Sequence, residues 1–250
     1  MSFAFLDVFS CQFAKEILRD HSKYSLDLYC QSYWDYYLAI EERFSHTERY
    51  CAFSERNRDA FSIEYLTLYL AACGEIDSLG KEIVRQLFPN VDLNKCTISK
   101  WGYYLGEAFP NLGIKTVEFN RKFKFRPFDG WKQVKSENKN GSAYYKRADN
   151  SKPLTWWTDY NSVKHNRVVI DENTGVGNYE KASQGNLLRA IGALFLMNRL
   201  MMLEIDKDGY SSIRHSSLFR LCGSIDEAKS TLFYSSDGHP CMRVEEPPSE

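Results

Sequence analysis

The stretch from Ala60 to Leu87, AFSIEYLTLYLAACGEIDSLGKEIVRQL, carries the strongest structural signal in the chain. Phe61, Ile63, Leu66, Leu70, Cys73, Ile76, Leu79, Gly80 and Ile83 recur at three- and four-residue steps. That period predicts a long amphipathic helix with its apolar stripe against a core. Glu75 and Asp77 lie inside the run, and Lys81 follows Asp77 at the spacing of four that suits a helical ion pair. Pro89-Asn90 ends the helix.

Outward from this helix the pattern stays mainly α. Residues 1–47 predict one or two aromatic-rich helices, with Tyr29, Tyr33, Tyr36, Tyr37 and Ile40 on a packed face, and residues 48–59 a connector. A shorter helix follows Thr97, from Trp101 to Phe109, closed by Pro110-Asn111. From Gly113 to Val134 apolar and charged residues partly alternate, predicting two short strands with a turn at Asp129-Gly130. Residues 135–152 are expected to form a polar loop. A helix is predicted from Thr155 to about Arg167, a loop over Asp171–Asn178, and a long apolar helix over residues 180–206. The tail after Gly209 is mixed, and Glu245–Glu250 is expected to be disordered. The expected organisation is an N-terminal helical segment (1–59), a helical bundle (60–206) with a β-hairpin insertion at about 113–152, and a C-terminal extension (207–250).

The 250 residues are ample for a buried core. Seven single cysteines, an odd number with no Cys-x-x-Cys pair, argue against a disulfide framework or a zinc site. The N-terminus lacks the marks of a secretory signal. The longest apolar stretch, Ala190–Leu203, is interrupted by Asn198 and Arg199 and falls short of a membrane span. A cytoplasmic location with reduced thiols, no membrane contact and no cofactor or metal is the expectation. No HExxH, glycine-rich phosphate loop or GxSxG element is present.

A formal net charge of −1 conceals an asymmetry. Between Lys115 and Arg167 thirteen Lys or Arg face five acids, a local balance of +8, interleaved with Phe123, Phe125, Phe128, Trp131, Tyr144 and Tyr145. Basic residues with accessible rings suit single-stranded nucleic acid, through phosphate neutralisation and base stacking. The alternative is a solvated hairpin whose rings seal the helical core.

The sharpest local signal is Tyr160-Asn161-Ser162-Val163-Lys164-His165-Asn166-Arg167. Helical spacing sets Trp157, Asn161, Lys164 and His165 along one stripe, with Tyr160 and Arg167 beside it. Cations in a last helical turn are partly explained by the helix dipole, whereas Asn161 in a helix interior is not. Imidazole exchanges protons near neutral pH, so His165 is suited to act as general base on a ribose 2′-hydroxyl or general acid on the leaving oxygen. Lys164 and Arg167 are suited to stabilise charge developing on phosphate, and Asn161 to orient the imidazole or donate to a phosphate oxygen. The competing reading is a structural network in which Glu75 and Asp77 pair with Lys164, His165 and Arg167.

These residues resemble HEPN domains, helical bundles whose ribonuclease members carry arginine, a polar residue that is often asparagine, three variable residues, then histidine. Asn161 and His165 match the polar residue, the spacing and the histidine, and Tyr160 stands where the arginine would be. The wider set resembles a group of uncharacterised bacterial HEPN-like proteins. It runs from Glu75-Ile76-Asp77 through Pro127-Phe128, Trp131, Trp156-Trp157 and the octapeptide to Ala193-Leu194-Phe195 and Asn198, roughly residues 60–200. The resemblance implies a HEPN-like bundle and metal-independent RNA cleavage at a site completed by two protomers, in toxins or in defence against phage. Tyr160, Asn161, Lys164, His165 and Arg167 are the implied catalytic set, supported by Glu75 and Asp77, with RNA, a second copy and a protein partner or inhibitor as partners. With tyrosine replacing arginine, either Arg167 supplies the charge or RNA is bound without being cut. The alternative from a different class is a non-catalytic helical adaptor.

Overall fold

The computed structural model describes residues 26–205, 214–222, 230–234 and 240–244. The expectations for residues 1–25 and 245–250 lie outside them. Helices dominate: α1 (Leu26–Tyr29) passes through a π-helical turn, Cys30–Trp34, into α2 (Asp35–His46), followed by α3 (Ile63–Leu87), α4 (Ile98–Ala108), α5 (Thr155–His165) and α6 (Gln184–Ile205). Among the described residues no helix is long and apolar enough to cross a membrane.

α3 starts at Ser62, whose hydroxyl accepts from the Tyr65 amide at 3.1 Å and caps the first turn. Its most extensive neighbour is α6. The two helices begin side by side, with Gln184 N–H donating to the Ala60 carbonyl and Gly185 N–H to that of Arg58, both at 2.8 Å. From Leu187 to Met202 every residue of α6 is buried except Arg189 and Arg199. A helix that is apolar nearly all round belongs at the centre of a bundle. Tyr29 of α1 reaches it, donating to Asn198 Oδ1 at 2.9 Å, while the Asn198 amide returns to the Leu194 carbonyl.

The amphipathic reading of α3 holds from Leu66 to Ile83 and fails at its start. Phe61 and Ile63, expected in the stripe, are 45% and 77% exposed, and Tyr65, Leu68 and Tyr69 supply the buried face instead. The chain enters α3 over its edge, so the first apolar residues precede the turn at which the stripe meets α6.

The strand expectations are corrected in position. β1 (Val117–Phe119) and β2 (Phe123–Phe125) form an antiparallel hairpin, but its turn is Asn120-Arg121, both at positive φ (49° and 55°), rather than Asp129-Gly130. Asparagine tolerates that left-handed region, and the register, with Phe119 opposite Phe123, makes Asn120-Arg121-Lys122 a three-residue connection closed by the Lys122 amide donating to the Phe119 carbonyl at 3.0 Å. Asp129-Gly130 turns the chain further on, towards β3. Residues 135–152, expected as loop, contain most of a second hairpin, β3 (Gln133–Glu137) with β4 (Ala143–Arg147). It lies on α4, where the Tyr104 and Tyr145 hydroxyls meet at 3.0 Å.

β5 (Phe219–Leu221) pairs with β1 to complete a three-stranded sheet in the order β2-β1-β5, and β6 (Ser230–Tyr234) pairs with β7 (Pro240–Val244). Glu41, 2% exposed, anchors the approach to β5. It accepts from the Leu218 and Ser217 amides at 3.0 Å, the Tyr37 hydroxyl at 2.9 Å, and the Ser216 and Ser217 hydroxyls. Among the described residues no cation pairs with Glu41, and multiple donors of this kind are what a buried carboxylate then requires.

Candidate functional site

α5 is held by its aromatic face. Trp156, Trp157, Tyr160 and Val163 are buried, which at 3.6 residues per turn leaves Asn161, Lys164 and His165 on the outer face. Trp156 Nε1 donates to the Pro127 carbonyl at 3.0 Å, and the Tyr69 hydroxyl donates to the Trp156 carbonyl. Trp157 meets Trp101 edge-on at 6.0 Å between ring centres and Tyr160 at 5.1 Å. Trp101 fits because Gly80 faces it, and Trp131 packs against Gly102.

The helix ends at Asn166, whose amide donates to the Ser162 carbonyl at 2.9 Å. The Asn166 carbonyl accepts from the side chain of Asn178 at 2.8 Å, and the Asn178 amide donates to Val169. Asp159 is tied to α6 through Asn186 Nδ2 at 2.9 Å. Asn178 and Asn186 thus fix the terminal turn. Nothing in their local sequence marks them beyond an Asn beside a Gly-x-Gly turn and another in an apolar helix.

Asn161, Lys164, His165 and Arg167 are brought together at this end, all exposed. Among the described residues none of the three cations lies within ion-pair distance of an acid. Arg167 Nε donates to the Val163 carbonyl at 3.4 Å, one of the carbonyls left open at a helix end. The Lys164 ammonium lies 5.5 Å from the ring centre of Tyr160. Tyr160 itself is 4% exposed, so it backs the site from inside rather than facing a ligand. Burial pushes its hydroxyl up, and the Lys164 ammonium opposes that rise.

Glu75 and Asp77 do not act as a pair. Two residues apart on a helix, they point about 200° from each other. Asp77 is on the side of α5: it accepts from Trp101 Nε1 at 3.0 Å, bonds Lys81, and raises the Tyr160 hydroxyl electrostatically. Glu75 is on the side of the π-helical turn, where it and Glu82 help to push the Tyr33 hydroxyl up to about 12, behind burial as the main cause. Burial also raises the Glu75 carboxyl itself.

In the basic segment twelve of the thirteen cations are exposed, only Lys115 being half-buried, and of these Arg126 and Lys152 pair with Asp129 and Lys146 with Asp149. The rings divide differently. Phe128 and Trp131 are core, Phe123, Phe125 and Tyr145 are half-buried, and Tyr144 is the most open at 38%. Most of these rings seal the bundle, leaving Tyr144 and the edge of Tyr145 for stacking. Comparison with protein-family models, characterised proteins and solved structures gives no match.

Proposed function

We propose that the protein is a HEPN-like RNA effector, a metal-independent endoribonuclease of a bacterial toxin or anti-phage setting, with its phosphate site at the C-terminal turn of α5. The observation that carries this reading is that Asn161, Lys164, His165 and Arg167 stand open at one helix end, with no acid consuming their charge among the described residues. A structural network would have tied these cations to Glu75 and Asp77, but Asp77 bonds Trp101 and Lys81.

In this scheme the helix end fixes His165 beside Asn161, one turn apart. His165 takes the proton from a ribose 2′-hydroxyl as that oxygen attacks the adjacent phosphorus. Lys164 and Arg167 neutralise the charge that builds on the phosphoryl oxygens. The P–O5′ bond breaks and O5′ takes a proton from water, leaving a 2′,3′-cyclic phosphate and a 5′-hydroxyl, while the proton held by His165 passes to solvent. Tyr160 is buried and takes no part at the phosphate, so Arg167, two residues beyond the histidine, supplies the guanidinium. The exposed cations between Arg121 and Lys152 lengthen the phosphate contact.

The test is incubation of the purified protein with total RNA in EDTA, comparing wild type with His165→Ala. Cleavage by wild type that is lost in the variant supports the enzyme. A second reading, the non-catalytic adaptor, draws on the exposed apolar residues that follow Arg167. It predicts intact RNA with both proteins.

A further inference from the structure

Tyrosines from α4 and the second hairpin meet where the hairpin lies on the helix. Tyr103 and Tyr104 are consecutive on α4, and their ring centres lie 5.5 and 5.8 Å from that of Tyr145 on β4. They meet each other edge-on at 5.1 Å, and Phe88 backs Tyr104 at 5.0 Å. All three tyrosines are half-buried, so each keeps part of its ring in solvent.

Tyr103 is the one that faces open space. The Tyr104 and Tyr145 hydroxyls bond each other, whereas the Tyr103 hydroxyl has no hydrogen-bond partner among the described residues. Gly106, one turn beyond Tyr103, is exposed, and an added Cβ there would meet nothing within 4 Å. Residues three apart on a helix share a face, so no side chain screens the Tyr103 ring on that side. Trp101 and Leu105 are the α4 residues that seal the core, which leaves Tyr103 without that task.

The surroundings are cationic. α4 and the hairpin with its turn carry Lys100, Lys135, Lys139, Lys146 and Arg147 against Glu107 and Glu137, a balance of +3. Strand alternation puts Lys135 and Arg147 on the α4 side with Tyr145. Lys135 is directly opposite Tyr145 in the register, and Arg147 is opposite Gln133, which is buried against Gly102. Lys100 donates to the Asp92 carbonyl and holds its ammonium 5.9 Å from the Tyr145 ring centre. Among the described residues none of Lys100, Lys135 and Arg147 pairs with an acid. Of the two acids, Glu137 is at the hairpin tip. Glu107 is one turn beyond Tyr103 and helps, behind burial, to push its hydroxyl up, so the ring stays a neutral phenol.

Rings bordered by unpaired cations fit a single strand of nucleic acid, which has a π-face on every base and a charge at every link. A duplex offers its phosphates but keeps its bases stacked, and a proline-rich peptide would use the rings and leave the cations idle. We propose that this cleft is a base-stacking subsite for single-stranded RNA, with a base on Tyr103 beside Gly106 and the flanking phosphates on Lys100, Lys135 and Arg147. It rests on the reading of the protein as an RNA effector, names the strand state of its substrate, and uses no residue of the α5 terminus.

The test titrates the full chain into a short RNA carrying a purine analogue whose emission falls on stacking, single-stranded or as its duplex. Anisotropy of an end label is read in parallel over a series of salt concentrations. The single strand is expected to bind with quenching, and the duplex without it. Tyr103→Leu keeps an apolar neighbour for Tyr104 but no π-face, and is expected to weaken single-strand binding about fivefold or more at an unchanged salt slope. Tyr103→Phe keeps the ring and should bind as wild type. Lys135→Ala/Arg147→Ala should instead lower the slope by about 1.4. Gly106→Leu removes no native contact and fills the space beside the ring, so it is expected to abolish quenching in a chain that folds as wild type. Quenching that persists in Lys164→Ala/Arg167→Ala supports a subsite separate from the α5 terminus. RNA that binds wild type without quenching, or binds Tyr103→Leu and Gly106→Leu as tightly as wild type, overturns the subsite and leaves the RNA reading standing. Wild type that binds no RNA at low salt overturns both.

Discussion

Adding one methyl group at Gly80 is expected to destabilise the protein, although alanine is the better helix former. Gly80 is interior to α3, where replacing glycine by alanine ordinarily gains about 1 kcal/mol. Here a Cβ meets three atoms of the Trp101 ring at 2.6, 2.8 and 3.0 Å. The ring has nowhere to go: it is fully buried, it donates to Asp77, and it packs on Trp157 and Trp131 at 6.0 and 6.1 Å. Overpacking a filled core costs about 1–3 kcal/mol, and tilting Trp101 away from Asp77 loses a hydrogen bond of about 1 kcal/mol. The clash wins, for a net loss of about 1–3 kcal/mol, or roughly 2–12 °C in Tm for a chain of this size. Gly74 is the control. It lies in the same helix with nothing within 4 Å of an added Cβ, so Gly74→Ala should be stabilising by up to about 1 kcal/mol. Urea denaturation followed by circular dichroism and tryptophan fluorescence reads both. If Gly80→Ala proved as stable as Gly74→Ala, the close approach of α4 to α3, and with it the aromatic support of α5, would be wrong.

Glu41→Gln keeps the shape but replaces one carboxylate oxygen with an amide that cannot accept from the Ser217 amide. A loss of about 2–4 kcal/mol is expected, in the range for breaking a buried charged network, with hydrogen exchange quickened first at Ser217–Cys222. Unchanged exchange there would remove Glu41 as the anchor of β5. Glu75→Gln should do the opposite at neutral pH. Burial raises the Glu75 carboxyl in the folded state, so the fold binds more protons than the unfolded chain between the two pKa values. This group's contribution is therefore full below the ordinary carboxylate range and is lost as pH rises through the folded value. Urea melts should show the variant more stable than wild type at pH 7 and indistinguishable at pH 3, and a destabilised variant at pH 7 would contradict that sign.

The helices were legible because their apolar residues repeat with the helical period over long runs and because prolines punctuate them; α4 stops at Ala108, just before Phe109-Pro110. The second hairpin was not legible. β3 and β4 bury mainly Gln133 on α4, so their alternation has little apolar content to reveal it. The first hairpin's turn was hidden because Asn120-Arg121 takes positive φ without a glycine, whereas Asp129-Gly130 carries the louder signal. In the candidate site, the order of Asn161, Lys164, His165 and Arg167 along one helix end follows from spacing alone. That Tyr160 turns inward, and that Asp77 rather than Glu75 faces α5, depends on which neighbours Trp101 and Tyr33 occupy. Such contacts are set by packing between distant segments, which a local pattern does not encode.

Contact between RNA phosphate and the terminal turn of α5 is what the proposed function requires first. Fluorescence anisotropy of a labelled single-stranded RNA, titrated with wild type and with Lys164→Ala/Arg167→Ala over a series of salt concentrations, measures that contact. Each phosphate neutralised on a single strand contributes about 0.7 to the slope of log affinity against log salt, so losing two cations should lower the slope by about 1.4 and weaken binding for every RNA sequence alike. Equal affinity and equal slope in the two proteins, or no binding by wild type at low salt, would contradict it.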